Sequence, residues 1–160
     1  MQVGEVVAER YQIVATIGRG GMGEVSRCRD LASGQDVALK RIRSDIAPAT
    51  RGELDQLFYR EAAALASLTH PNLVRAHDFG FLDDGARFLV MEYVDGVSLE
   101  QLWEHEGILP WDLLASVLDQ ILLGLAHLHA RGLVHRDLKP ANVMLSDGPQ
   151  GPRVTILDLG

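Results

Sequence analysis

The stretch His135-Arg136-Asp137-Leu138-Lys139-Pro140-Ala141-Asn142 leaves this chain few options. It follows a long apolar segment that reads as a helix, introduced by Pro110 and ended by Gly132, and one short strand later the chain reaches Asp158-Leu159-Gly160. A tight loop therefore carries an acid, a cation and an amide, and a second acid arrives from the next strand. Asp137 can accept a hydroxyl proton, Lys139 can offset negative charge, and Asn142 with Asp158 can offer hard oxygen ligands to magnesium. Taken singly, each of these is more simply a residue of a solvated surface turn. Their joint occurrence in this order, downstream of a glycine-rich hairpin and a strand lysine, points instead to phosphoryl transfer.

The rest of the chain is compatible with a packed domain. With 160 residues, 47% of them hydrophobic, it can bury a core in one domain or two small lobes. The net charge of -7 is spread through segments of mixed sign without a basic run, which argues against nucleic acid as a principal partner. Cys28 is the single cysteine, so no internal disulfide forms, and a reducing cytoplasmic setting is expected. No run reaches the roughly 18 consecutive apolar residues of a membrane span, and Met1-Gln2-Val3-Gly4-Glu5 lacks a signal-peptide pattern.

Taken in order, Tyr11 to Ile17 reads as a strand, Gly18-Arg19-Gly20-Gly21-Met22-Gly23 as a loop and Glu24 to Arg29 as a second strand. A dinucleotide site uses similar glycines but needs a helix directly after them. Here Ser33-Gly34-Gln35 turns the chain into a third strand, Asp36 to Ile42, and the hairpin context favours a flap over a triphosphate. Alternation along that strand puts Ala38 and Lys40 on one face, a small apolar surface beside a cation, although a lysine near a strand end is ordinarily a surface residue. After a connector to Gly52, a helix carries Leu54, Leu57, Phe58, Leu65 and Leu68 at helical spacing. Glu61 lies within that stripe, where it takes up a proton, meets a cation, with Lys40 the candidate, or reaches water from the stripe's edge.

Thr69-His70-Pro71-Asn72 ends the helix, and Leu73 to Gly80 and Arg87 to Met91 read as paired strands around Asp83-Asp84-Gly85. Ser98 with Gln101 forms a capping box for a short helix ending at Gly107. In the long helix, Leu113, Leu114, Val117, Leu118, Ile121, Leu122, Leu125 and Leu128 leave more than one face apolar, so it is expected to be a buried central helix. Asn142 to Leu145 returns as a strand, Ser146 to Pro152 turns, and Arg153 to Leu157 delivers Asp158.

On the loop from His135 to Asn142, the Asp158-Leu159-Gly160 triplet, the glycine hairpin and Val37-Ala38-Leu39-Lys40, the chain resembles a protein kinase. The wording of the glycine segment and the Pro140-Ala141-Asn142 ending look most like bacterial kinases of the eukaryotic type, and Lys139-Pro140 resembles the serine/threonine branch. Leu159 stands where phenylalanine is commoner. The resemblance implies an α+β, bilobal fold: an antiparallel-sheet N-lobe with one main helix over residues 1–91, a hinge at 92–96, and the start of a helical C-lobe over 97–160. It implies ATP and Mg2+ as ligands and Ser/Thr hydroxyls of proteins as acceptors. Asp137 and Lys139 would be catalytic, and Asn142 and Asp158 would bind the metal. The nucleotide would meet Ile17, Gly18, Gly20, Gly21, Gly23, Val25, Ala38, Lys40, Glu61, Met91, Glu92, Val94 and Met144, with Val25 and Ala38 over the adenine, Met144 beneath it, Met91 as gatekeeper and the backbones of Glu92 and Val94 reading it. Arg136 resembles the arginine of kinases switched on by a phosphate in the activation segment.

Two rival readings stand beside this one. Small-molecule phosphotransferases share the architecture but generally lack a lysine at the position of Lys139, and a non-catalytic ATP-binding or scaffold protein would need no intact set of transfer residues. The resemblance covers about the first 60% of a typical kinase domain. The isolated chain is therefore expected to phosphorylate poorly, and a parent with a membrane span stays open.

Overall fold

The computed structural model describes residues 2–20, 23–42, 51–149 and 151–158. The chain divides into two compact units, one of Met1–Leu68 with Arg75–Tyr93, the other of Thr69–Val74 with Val94–Gly160.

The first unit is built on a six-stranded antiparallel sheet. Its strands are β1 (Val6–Val7), β2 (Tyr11–Gly20), β3 (Gly23–Asp30), β4 (Asp36–Ile42), β5 (Ala76–Phe81) and β6 (Arg87–Glu92), in the order β1-β2-β3-β4-β6-β5. Alternation sorts the side chains. Val37 and Leu39 of β4 join Val7, Tyr11, Ile13, Cys28, Phe88 and Val90 in one buried cluster, which leaves Ala38 and Lys40 on the opposite face. Burying a side chain the size of Leu39 contributes about 1.5–3 kcal/mol. Cys28 has no exposed surface, and burial pushes its thiol pKa up to about 11. The turn after β3 is tied by Asp30, which accepts from both Arg10 Nε (2.7 Å) and Nη2 (2.9 Å), from Ser33 Oγ (2.7 Å) and from Ala32 N (3.0 Å). Helix α1 (Arg51–Ala66) packs on β5, where Phe58 and Tyr59 meet Phe79 and Phe81 edge-on or tilted with ring centroids 5.4–6.2 Å apart.

The second unit holds β7 (Val97–Ser98), α2 (Leu99–Glu106), α3 (Trp111–His129), a 3-10 turn at Pro140–Asn142, β8 (Val143–Ser146) and β9 (Arg153–Ile156), with β7-β8-β9 forming a small sheet. The capping box at α2 is present in full: Ser98 Oγ accepts from Gln101 N (3.1 Å) and Gln101 Oε1 accepts from Ser98 N (2.9 Å). Gly107 then leaves the helix at φ 72°.

Three expectations are corrected. The strand anticipated from Leu73 begins only at Ala76, because the preceding residues pair elsewhere: Val74 N donates to Ile156 O (2.9 Å) and Ile156 N to Asn72 O (2.9 Å). The glycine segment is less of a loop than expected, since Gly18 and Gly20 lie in β2 and Gly23 opens β3, with Gly20 opposite Gly23. Helix α3 is not buried all round. Val117, Ile121, Gly124 and Leu128 form one buried stripe, while Leu122 and Leu123 are 61% and 59% exposed. The stripe faces β9 at Gly124, where an added Cβ would lie 2.9 Å from Ile156 Cδ1 and 3.2 Å from Leu73 Cδ2. Among the described residues α3 alone is long and apolar enough to cross a membrane, at 19 residues and mean hydropathy 1.3, a test that core helices also pass.

His70 and His127 stack within this unit with ring centroids 4.8 Å apart. Burial, then His127 and Arg131, hold the His70 pKa below its ordinary value. The folded state thus favours neutral His70, so its contribution to stability is complete above about pH 6.5 and is lost as pH falls through the lower folded value. The loss of Tm on acidification from about pH 7.5 to about pH 5 is expected to be smaller in His70→Gln than in the unsubstituted chain, as thermal melts will register. Equal losses would assign the acid sensitivity to other groups.

Candidate active site

The loop that follows α3 is shaped by local chemistry. Gly132, at φ 71°, turns the chain out of the helix, and Leu133 N closes back on Leu128 O (3.1 Å). Arg136 takes a left-handed φ of 65°, uncommon for a residue with a side chain, and Asp137 N returns to His135 O (2.9 Å). Pro140 opens the 3-10 turn, where its fixed φ suits the first position and no N–H is required, and Asn142 N bonds Lys139 O (2.9 Å).

These bends gather the three polar side chains. Lys139 Nζ lies 2.7 Å from Asp137 Oδ2, and Asn142 Nδ2 donates to Asp137 O (2.8 Å) and Oδ2 (3.1 Å). All the side-chain bonds fall on Oδ2; Oδ1 takes part in none of them. The bond from Lys139 holds the Asp137 carboxyl below the usual carboxylate range, and the same bond raises the Lys139 ammonium. Both are therefore charged at neutral pH. Asn142 is only 7% exposed, and with Nδ2 turned to Asp137 its Oδ1 is the end left for a cation.

Asp158 is tied to this loop through its neighbour. Leu157 N donates to Asn142 O (2.8 Å), and Leu157 O accepts from Nε2 of the buried His135 (2.8 Å). His135 Nδ1 accepts from Asp137 N (3.3 Å), so Nε2 is the ring nitrogen that donates to Leu157 O. Asp158 has φ 50°, a left-handed conformation that persists only where the surroundings fix it. Among the described residues no three His, Cys, Asp or Glu side chains converge, so there is no all-protein metal cage. One amide oxygen and one carboxylate nevertheless suit magnesium, which prefers hard oxygens and keeps places for water and phosphate.

In the first unit, Gly18, Val25 and Lys40 stand in one cross-strand row over β2, β3 and β4, and Ala38 stands opposite Met91 in the next. Cross-strand partners share a face, so these side chains line one side of the sheet. Ala38 and Met91 are buried at 7% and 4% exposure, whereas Ile17 is 49% exposed. Glu92 N is already engaged by Arg75 O (2.8 Å). Gly21 and the side chain of Glu61 lie outside the described residues, and so does the expected pairing of Glu61 with Lys40. Val94 and Met144 belong to the second unit, Met144 on β8 opposite Ser98 and Thr155. The structure thus gathers Asp137, Lys139, Asn142 and the approach to Asp158 in one unit, and the glycines, Val25, Ala38, Lys40 and Met91 in the other. Sequence reasoning passed over His135, Asn72 and Gln120 as working parts. Gln120 left one trace, a polar residue beside the apolar positions Val117, Ile121 and Gly124.

A glycine hairpin and strand lysine in one unit, with an Asp-Lys-Asn loop and an aspartate two residues beyond β9 in the other, are the parts of a phosphotransferase architecture. Residues 11–160 match the protein kinase domain model, and the chain belongs to the protein kinase domain family. It is 40% identical over 159 residues to the serine/threonine-protein kinase pkn3 of Myxococcus xanthus, a match covering 99% of this chain and 29% of that protein. It is 38% identical over 145 residues to the serine/threonine-protein kinase PrkC of Bacillus subtilis, covering 91% of this chain and 22% of that protein. Its fold superposes on the crystal structure of the PknI kinase domain of Mycobacterium tuberculosis with a TM-score of 0.81 at 31% identity, covering 99% of this chain and 62% of that one. The chain thus spans less than a third of these curated relatives and about three-fifths of the solved domain.

Proposed function

We propose that the chain is the nucleotide-binding and catalytic-loop portion of a serine/threonine protein kinase, with residues 1–91 as the N-lobe, 92–96 as the hinge and 97–160 as the start of the C-lobe. The observation that carries this reading is the Asp137–Lys139–Asn142 cluster, with an ionised Asp137 whose two side-chain partners both bond Oδ2. An acceptor hydroxyl held by the Asp137 carboxylate attacks the γ-phosphorus of ATP. The new O–P bond forms as the bond to the β–γ bridging oxygen breaks, ADP departs, and the hydroxyl proton passes to Asp137. An acid held below its usual range is a weak base, so its larger contribution is to orient the hydroxyl. Lys139 offsets charge on the transferring group. Bound between Asn142 and Asp158, Mg2+ would neutralise phosphate charge.

Lys40 holds the α- and β-phosphates and Glu61 steadies it. Ile17, Gly18, Gly20, Gly21 and Gly23 cover the triphosphate with backbone N–H groups. Val25 and Ala38 cover the adenine, with Met91 behind it. Because the Glu92 N–H is already donated, its share of adenine recognition falls to its carbonyl, and Val94 supplies the N–H. Protein Ser/Thr hydroxyls are the acceptors, and nucleic acid is not a partner of this acidic chain. A cytoplasmic setting suits its lone, buried thiol.

Calorimetry with Mg-ATP tests the reading. The chain is expected to bind, and Lys40→Met to weaken binding about 30-fold or more, the equivalent of about 2 kcal/mol for a charge-assisted contact. Unchanged affinity would overturn the role given to Lys40.

A further inference from the structure

We infer that Gln120 is a positioning residue for Asp158, acting through β9; this rests on the reading of Asp158 as a magnesium ligand. One edge of β9 pairs with β8. At the other edge no strand follows among the described residues, apart from an isolated bridge between Leu73 and Ile156, and the side chain of Gln120 stands in for one. Its Oε1 accepts from Val154 N (2.9 Å) and its Nε2 donates to Pro152 O (2.9 Å). Those are the two backbone groups that the N–H and C=O of one residue on an adjacent parallel strand would satisfy. The Gln120 amide is itself fixed from the side, because Asn72 Nδ2 bridges Gln120 Oε1 (3.0 Å) and Val154 O (2.8 Å). Two residues on, Asn72 O and Val74 N take up Ile156 N and O at 2.9 Å each. The whole outer edge from Pro152 to Ile156 is therefore sealed by one glutamine and the Asn72–Val74 segment.

What this edge holds in register is β9, the strand that leads to Asp158 two residues beyond its end. Val154, Thr155 and Ile156 have 0%, 1% and 0% exposure, so a shift at Val154 has no slack to absorb it before Leu157. Leu157 in turn clasps Asn142 O and His135 Nε2, and the next residue is Asp158 at its left-handed φ of 50°. A slip of one residue would turn every side chain of the strand to its other face. Removing the Gln120 amide leaves Val154 N–H and Pro152 O without their partner and frees the end that carries the carboxylate. A glutamine beside the buried stripe of this helix thus has a task that simple packing would not set it.

The experiment compares the unsubstituted chain, Gln120→Met and Asp158→Asn for nucleotide affinity with Mg2+ and with EDTA. Amide hydrogen exchange at Val154 and Leu157 is followed in the metal-free proteins. Mg2+ is expected to enhance affinity in the unsubstituted chain. Gln120→Met should keep its EDTA affinity within about twofold but lose about fivefold or more of the Mg2+ enhancement, and exchange at both Val154 and Leu157 should accelerate. A purely structural glutamine would lower both affinities together, or would loosen Val154 alone, and either result overturns the inference. If Asp158→Asn keeps the full enhancement, or the unsubstituted chain shows none, the metal reading of Asp158 fails and the inference with it. If Asp158→Asn loses the enhancement and Gln120→Met retains it, the inference alone fails. Should Gln120→Met not fold, Gln120→Glu replaces it. That variant keeps the acceptor for Val154 N and Asn72 and loses only the donor to Pro152 O, with a smaller loss of enhancement in the same direction expected and an undiminished enhancement overturning the inference.

Discussion

Asp137→Asn is expected to lower whatever rate of γ-phosphoryl transfer the chain supports by about 10²- to 10⁴-fold, the span attributable to a positioned acid–base group. The substitution removes the proton acceptor and places an amide where Lys139 Nζ now finds a carboxylate oxygen at 2.7 Å. Size and shape are almost unchanged, so the fold and the nucleotide contacts of the first unit should survive. The measurement is transfer of label from γ-labelled ATP, normalised to the unsubstituted chain at the same Mg-ATP occupancy. A rate within threefold of the unsubstituted value would remove Asp137 from the reaction. Because Asp137 titrates below the usual carboxylate range, the rate should also hold steady as pH falls toward about 5 and decline only in stronger acid, since its ionised form is kept there by Lys139.

Gly23→Ala is expected to destabilise the first unit by about 2–4 kcal/mol, a Tm loss of roughly 4–16 °C for a chain of this size. Gly23 has φ 147°, and a Cβ built there would lie 1.9 Å from the backbone oxygen of Arg41. That oxygen belongs to β4, so relief requires β3 and β4 to part at Gly23 and Ile42. Gly18→Ala supplies the contrast, because its Cβ would meet only Val25 Cβ at 3.9 Å. The second substitution should cost the fold little, within about 1 kcal/mol, so a loss of nucleotide affinity there would report on backbone approach to phosphate. Parallel thermal melts separate the two; equal Tm losses would refute the steric account of Gly23.

Those two glycines show where sequence reasoning reached and where it stopped. The motif predicted glycine at both, and the physical reason offered was the same for both. Only the register of β3 against β4 reveals that Gly23 is demanded by the sheet itself. The strand face bearing Ala38 and Lys40 was legible from alternation alone, and the α2 cap was legible because Ser98 and Gln101 satisfy each other within one turn. Features resting on distant partners were not. Leu73 and Val74 read as the start of a β-strand, yet their neighbours are some eighty residues away in β9. The two-residue strands β1 and β7 are too short to leave a periodic pattern. Apolar spacing in α3 described the helix correctly but could not say which faces find cover. Glutamine at position 120 looked like an interruption of that pattern, because the groups it serves are backbone atoms of another segment.

The lone thiol of this protein, that of Cys28, sits in the middle strand pair of the first sheet, shut off from solvent and kept in its protonated, unreactive form. An alkylating reagent therefore has nothing to attack until those strands separate. The chain carries its own stopwatch for the opening of that sheet, one that needs no engineered label and stays blind to events around the loop from His135 to Asn142.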